Sequence, residues 1–112
     1  MASENDVRRI CLALPGVEEK LYDRTPGFYV KKKMFARIRI DPDALLVWRP
    51  DVLDKEALIA SRPDVFFQTP HYEGHPSVLV HLEIVGIDEL EDLLMLAWML
   101  RAPARLAAAF HG

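Results

Sequence analysis

The feature that most constrains the fold is a strand-like alternation over residues 31–40. Side chains of a β-strand alternate between the two faces of a sheet, so this stretch predicts two chemically different faces. One side is apolar and predicts a core; its members are Met34, Ala36, Ile38 and Ile40. The other side is basic with one aromatic ring; its members are Lys33, Phe35, Arg37 and Arg39. The pattern predicts a half-buried strand whose basic face is open to a partner.

Short apolar runs and turn residues place this strand in an antiparallel meander. The strand-like runs cover residues 28–30, 33–40, 44–48, 65–68 and 77–82. The expected turns and breaks are residues 24–27, Lys31-Lys32 and Asp41-Pro42-Asp43. Runs joined by such short connections pair as antiparallel neighbours.

Three amphipathic segments predict helices at the start, in the middle and at the end of the chain. Their predicted starts are Ser3 with Asp6, Asp51 with Asp54, and Asp88 with Glu91. The last segment has the widest apolar face, formed by Leu90, Leu93, Leu94, Ala97, Trp98 and Leu100. Pro103 either kinks this helix or begins a short final one. The predicted fold class is α+β: an antiparallel meander packed against N-terminal, middle and C-terminal helices.

Length and charge narrow the function classes. The chain has 112 residues, the size of one domain, so we expect a single domain over residues 1–112. Its net charge is −3, but residues 31–39 carry five positive charges and no negative one, which leaves −8 on the remainder. A domain that is basic over its whole surface is excluded, and a local basic strip on an acidic body is predicted.

We expect a cytoplasmic protein without a membrane partner. Residues 1–6 are polar and acidic, unlike a signal peptide. The most apolar run, residues 93–100, has eight residues. A membrane-spanning helix needs ~20. Cys11 is the single cysteine, so it forms no disulfide within the chain and suits a reducing compartment.

No pattern in the chain predicts a catalytic centre, a metal site or a cofactor, and we expect a non-enzymatic protein. Cys11 lies on a predicted core face, and Ser61 and Ser77 lack a nucleophile-elbow motif. The glycines are scattered and form no phosphate-binding loop. The spacing of the histidines and acids between residues 71 and 83 does not close a metal site.

The basic face of the 31–40 stretch is the strongest candidate binding surface. Proteins that read nucleic acid with a sheet place Lys and Arg on phosphates and stack bases on strand aromatics. The candidate phosphate contacts are Lys31, Lys32, Lys33, Arg37, Arg39 and Arg49, with Phe35 as the stacking side chain. DNA is the expected partner.

Three other readings of these residues stay open. A charged, solvent-facing strand also protects a sheet edge from aggregation. A protein partner or a second copy of the chain could dock on the apolar helix around residues 90–100. A small molecule could bind a pocket lined by His71, Tyr72, His75 and His81.

Several segments together resemble the MmcQ/YjbR-like family. They are CLALPGVEE at residues 11–19, KMFA at 33–36, FFQTPHYEGHPSVLV at 66–80 and AWMLRAPARL at 97–106. The resemblance covers nearly the whole chain, and its opening has the form L-x-L-P-G-x-x-E. It implies a small α+β fold similar to double-wing DNA-binding domains, and a DNA-binding role. It implies no catalytic residues.

Overall fold

The structure is a computed structural model that describes residues 1–40 and 43–111. The helices are α1 (Glu4–Leu12), α2 (Val52–Ser61), α3 (Ile87–Arg101) and α4 (Ala104–His111). The strands are β1 (Val17–Tyr22), β2 (Thr25–Val30), β3 (Lys33–Ile40), β4 (Asp43–Trp48), β5 (Phe66–Phe67) and β6 (Ser77–Val80). A short 3₁₀ turn covers Pro70–Tyr72. Of the predicted break Asp41-Pro42-Asp43, Asp41 and Pro42 lie outside the described residues.

The strands form one antiparallel sheet in the order β1-β2-β3-β4-β6-β5. The meander predicted for residues 28–48 is confirmed as β2, β3 and β4, and β1 extends it at the edge; the α+β class is confirmed as well. Strand β6 lies between β4 and β5, so the chain leaves β4 through α2, returns to the sheet as the edge strand β5, and then places β6 between the two.

Helices α1 and α3 cover one face of this sheet, which we call the core face. Alternate strand residues, among them Phe28, Leu45 and Val78, pack there against apolar side chains of both helices. The helix residues buried there are Val7, Ile10, Cys11, Leu90, Leu93, Leu94, Ala97 and Trp98. The expectation that the apolar face of the 90–100 helix could dock a partner is therefore wrong, because most of that face is in the core.

The first two helix starts follow the sequence. Ser3 and Asp6 form a capping box, and the Asp51 side chain accepts a hydrogen bond from the backbone of Asp54. The third differs, because α3 begins at Ile87 after Gly86, with no side-chain cap. The acids in its first turn, Asp88 and Glu89, favour a helix N-terminus through the dipole alone.

Both tight hairpin turns are made by residues other than glycine. Asp23 and Arg24 join β1 to β2 with φ of 51° and 73°, and Lys31 and Lys32 join β2 to β3 with φ of 47° and 70°. Two consecutive residues at positive φ match the twist of antiparallel strands, although asparagine and glycine are preferred there. The turn predicted at residues 24–27 was therefore misplaced, since Thr25 already belongs to β2.

Candidate functional site

A β-bulge in β3 decides which side chains reach the outer face of the sheet, the face opposite α1 and α3. Tyr29 pairs with Met34 and Phe28 pairs with Ala36, so Phe35 has no partner on β2. An extra residue of this kind reverses the alternation along the strand. Phe35 is fully buried in the core, and the prediction that it lies on the basic face is wrong. Met34 takes the outer position instead, on the same face as Arg37.

The outer face forms a cavity of about 720 Å³. Strands β1–β4, both hairpin turns, the 70–76 segment and the end of α3 contribute to its lining. Its cationic residues are Lys32, Lys33, Arg37, Arg39 and Arg101, its histidines His71 and His75, its aromatic residues Tyr22, Tyr29, Trp48 and Tyr72, and its remaining residues Asp23, Met34 and Leu46. The described lining thus combines five cations with one carboxylate, a composition that favours an anion.

The three arginines of the cavity lie over aromatic rings. The guanidinium carbon of Arg37 is 4.5 Å from the centre of the Tyr22 ring, and that of Arg101 is 5.0 Å from the Trp48 ring. Arg39 lies 5.2 Å from the ring of Tyr72 and donates a hydrogen bond to its hydroxyl. An aromatic ring holds a cation in place without neutralising its charge, so these contacts orient the arginines and leave the cavity positive.

Arg37 is the most unusual of these side chains. It is 8% exposed, and its Nε atom is buried without a hydrogen-bond partner. Within residues 1–40 and 43–111, no carboxylate forms an ion pair with it. A buried guanidinium that lacks both an anion and full hydrogen bonding is costly and rare. Arg37 is therefore a buried cation without an ion-pair partner in the described chain.

Lys55 of α2 fixes the segment that forms the histidine side of the cavity. This side chain is fully buried, and its Nζ donates hydrogen bonds to the carbonyl oxygens of Tyr72 (2.5 Å) and His75 (2.8 Å). Burial lowers the pKa of Lys55 from its ordinary value. The sequence placed an apolar stripe on α2, and the buried lysine in its place went unpredicted.

His75 is held in place at the end of this segment. Its Nδ1 lies 2.7 Å from the hydroxyl oxygen of Ser77, and its ring meets the edge of Trp48 at 5.2 Å. Burial, and next the positive charges of Lys55 and Arg101, lower the pKa of His75 from the ordinary 6.5. His75 is therefore neutral at pH 7 and can hydrogen-bond a ligand without adding charge.

The structure brings together most of the residues that the sequence singled out. Lys32, Lys33, Arg37 and Arg39 of the predicted basic face line the same cavity as His71, Tyr72 and His75 of the alternative pocket. The two sets were separate hypotheses at the level of sequence, and they form one site here.

Besides Phe35, three predicted residues lie outside the cavity lining. Lys31 is exposed in its turn and borders a smaller groove beside α4. Arg49 is buried and pairs with Asp54 through two hydrogen bonds, of 2.6 and 3.1 Å, so its charge is already matched. His81 stacks on Phe67 at 4.2 Å and is absent from the cavity lining, and Glu83 lies 3.2 Å from its ring.

Sequence reasoning missed several cavity residues. Tyr29 and Trp48 could have been found from strand alternation, once the register of β2 and β4 against Arg37 was known. Arg101 carries no such signal, because it reaches the sheet from the last turn of α3 and donates to the carbonyl oxygen of Met34 at 2.9 Å. Tyr22 was missed because the turn was predicted at residues 24–27, whereas Asp23 and Arg24 form it and make Tyr22 the last residue of β1.

The described part of the chain contains neither a metal-binding cluster nor a membrane-spanning helix. No group of three or more His, Cys, Asp or Glu side chains within residues 1–40 and 43–111 is arranged to hold a metal ion. None of the helices described is long and apolar enough to span a bilayer.

Comparison with known proteins gives three likenesses. A family model described as YjbR matches residues 12–100. Uncharacterised proteins of Mycobacterium bovis and Mycobacterium tuberculosis are 48% identical to this chain over 45 residues, which is 40% of this chain and 35% of each relative. The match spans about a third of the length of these curated relatives. The crystal structure of Deinococcus radiodurans protein DR2400, with a DUF419 domain, is similar with a TM-score of 0.75 and 28% identity, over 89% of this chain and 78% of that one.

Proposed function

Since this chain belongs to the YjbR family, we propose that it is a non-enzymatic, cytoplasmic domain that binds DNA through the phosphates, using the cavity on the outer face of its sheet. The single observation that carries the proposal is Arg37, a buried cation whose Nε has no partner in the described chain. A buried cation without an ion-pair partner is costly in the free protein, and a bound anion would offset part of that cost. Phosphate oxygens are suitable acceptors, because a guanidinium binds them through two parallel hydrogen bonds.

The shape of the site favours single-stranded over duplex DNA. Arg37 lies in a recess, whereas the phosphates of a duplex lie on a convex and regular surface. A flexible single strand can bend into a recess and place its bases against aromatic rings. Four aromatic residues line the cavity, and each stacked base contributes about 1–3 kcal/mol in known complexes.

A non-enzymatic role fits the nucleophile candidates. Cys11 is buried in the core, and burial raises the pKa of its thiol far above its ordinary value, so a reactive thiolate does not form. Ser77 is fully buried and its hydroxyl contacts His75 below the cavity lining, where a substrate would not reach it.

The test is a titration of an internally labelled single-stranded oligonucleotide, followed by fluorescence anisotropy at several salt concentrations. We expect wild-type binding to weaken with salt, and Arg37→Gln to reduce the slope of log affinity against log salt by about 0.7, the value for one lost phosphate contact on a single strand. Arg9→Gln is the matched control, since Arg9 is exposed on α1, on the other face of the sheet.

Two results would contradict the proposal. One is the absence of any salt-dependent binding by the wild type at low ionic strength. The other is an equal loss for Arg37→Gln and Arg9→Gln, which would assign binding to overall charge. Lys33→Gln provides a second cavity variant at an exposed position, where folding is not at risk.

A small anionic molecule is the second candidate, and one observation favours it. His71, Tyr72 and His75 share the cavity with the cations, and its volume of about 720 Å³ falls in the range of small-molecule sites. Competition by small phosphates against the labelled oligonucleotide separates the two candidates.

A further inference from the structure

We propose that this cavity selects a terminal phosphate monoester carried by a nucleoside, with Arg37 as its phosphate ligand; this inference rests on the proposed function and names the chemical group that the site takes. Two sources carry this group: the phosphorylated end of a nucleic acid strand, and a free nucleotide. Both present a phosphate bound through one oxygen only, next to a planar base.

Access to Arg37 supports a terminal phosphate over an internal one. Its guanidinium is covered on one side by the Tyr22 ring at 4.5 Å, and the side chain is 8% exposed. An internal phosphate carries a sugar on both sides, so the chain must fold back to bring its two free oxygens to a recessed group. A terminal phosphate carries one sugar and can enter the recess with three oxygens forward.

The charge of the lining supports the same choice. Among the residues that the structure describes, five cationic side chains and one carboxylate line the cavity, which is more positive charge than a single diester neutralises. A phosphate monoester carries about −1.5 to −2 charges at pH 7, compared with −1 for a diester. Arg37 is held by an aromatic ring, and Arg101 is held by a ring and by the Met34 carbonyl. No carboxylate of the described chain forms an ion pair with either guanidinium, so none competes with a ligand.

The remaining space suits a nucleoside. Tyr22 and Tyr29 lie on the β1 and β2 side of the cavity, and Trp48 and Tyr72 lie on the side of β4 and the 70–76 segment. Gly27 lies on the outer face between these two sides, paired with Arg37. A Cβ at this position would come within 3.1 Å of the Tyr29 ring and 3.3 Å of the Met34 methyl group. The glycine therefore lets the side chains of Tyr29 and Met34, which both line the cavity, pack closely on the sheet beside Arg37.

The experiment compares three internally labelled oligonucleotides of one sequence: one with a 5′-phosphate, one with a 3′-phosphate and one with hydroxyl groups at both ends. We expect the wild type to bind at least one phosphorylated form about tenfold more tightly than the hydroxyl form, the effect of one charge-assisted hydrogen bond. Arg37→Gln should remove this preference, and Arg9→Gln should keep it. Thymidine monophosphate should compete, whereas thymidine and inorganic phosphate should compete weakly.

The outcomes separate this inference from the proposed function. Equal wild-type affinity for all three oligonucleotides, with Arg37→Gln lowering every one, overturns the terminal-phosphate inference and leaves DNA binding standing. Binding of thymidine monophosphate without binding of any oligonucleotide supports the inference and overturns the DNA proposal. Binding of none of these ligands overturns both. The comparison among oligonucleotides needs only the wild type, so an unstable variant does not leave the inference undecided.

Discussion

Replacing Arg37 by methionine should weaken anion binding and raise the stability of the free protein. A residue kept only for structure would lower stability when replaced. Methionine is long, unbranched and apolar, so it can fill the space of the arginine stem without a charge. Arg37→Met therefore distinguishes a ligand-binding role from a structural one.

The magnitude follows from the contacts of Arg37. The substitution loses the contact with the Tyr22 ring at 4.5 Å. A cation over a ring contributes about 0.5–1 kcal/mol at exposed sites and about 2 when desolvated. The substitution also removes a buried, unpartnered Nε–H. Such a group costs about 1–3 kcal/mol, and more when it is charged. The difference predicts a net stabilisation of about 1 kcal/mol, which for a domain of this size raises Tm by about 4 °C.

The assay is thermal and urea unfolding followed by circular dichroism, in a buffer free of phosphate and sulfate. Arg9→Met serves as the control, because Arg9 is exposed and pairs with Asp6 at 3.5 Å, a contact worth less than about 1 kcal/mol. Added thymidine monophosphate should raise the Tm of the wild type by mass action and leave that of Arg37→Met unchanged. A loss of more than about 1 kcal/mol in Arg37→Met would refute the reasoning, because it would show that the guanidinium stabilises the fold.

Two further predictions concern the histidine side of the cavity. Lys55→Met should lower the free energy of unfolding by about 2–4 kcal/mol, because the loss of the donor to the carbonyl groups of Tyr72 and His75 outweighs the relief of a buried ammonium group. Hydrogen exchange should become faster in the 70–76 segment, and unchanged exchange there would contradict this prediction. The pKa of His75 is lowered in the folded protein, so as pH falls below its ordinary 6.5 the unfolded chain takes up the proton first and the wild type loses stability. His75→Gln should lose less between pH 7.5 and 5.5 in urea unfolding, and an equal loss in both proteins would disprove the assignment.

The parts of the fold that follow local rules could be predicted from the sequence. The capping residues Ser3 and Asp51 begin their helices as expected, because an Asp or Ser side chain satisfies free backbone donors whatever the tertiary context. Alternation placed Ala36 and Ile38 in the core correctly. The family resemblance is confirmed by the match over residues 12–100.

The failures that concern the cavity depend on tertiary structure. Phe35 changed face because of a bulge, and no local sequence signal marks it. In α2 the apolar Leu53 is 77% exposed, while Lys55 is buried because carbonyl groups distant in sequence accept its hydrogen bonds. The sequence predicted the basic face and the histidine pocket as two separate sites. They form one cavity because the strand order and the turn of the 70–76 segment bring Tyr72 next to Arg39.

The bulge in β3 also determines how this chain should be compared with its relatives. Before Phe35 the even-numbered residue Met34 faces the cavity, whereas after it the odd-numbered residues Arg37 and Arg39 do. Residues 33 and 34 therefore follow the opposite alternation to residues 36–40. A relative whose strand lacks the bulge would align without a visible gap if its turn before this strand were one residue longer. In such an alignment, core positions would be matched to cavity positions at the Lys33 end of the strand. Alignments of this strand should therefore be anchored at Arg37 and its partner Gly27, where the register is fixed, and extended towards Lys33 only with a gap allowed at Phe35.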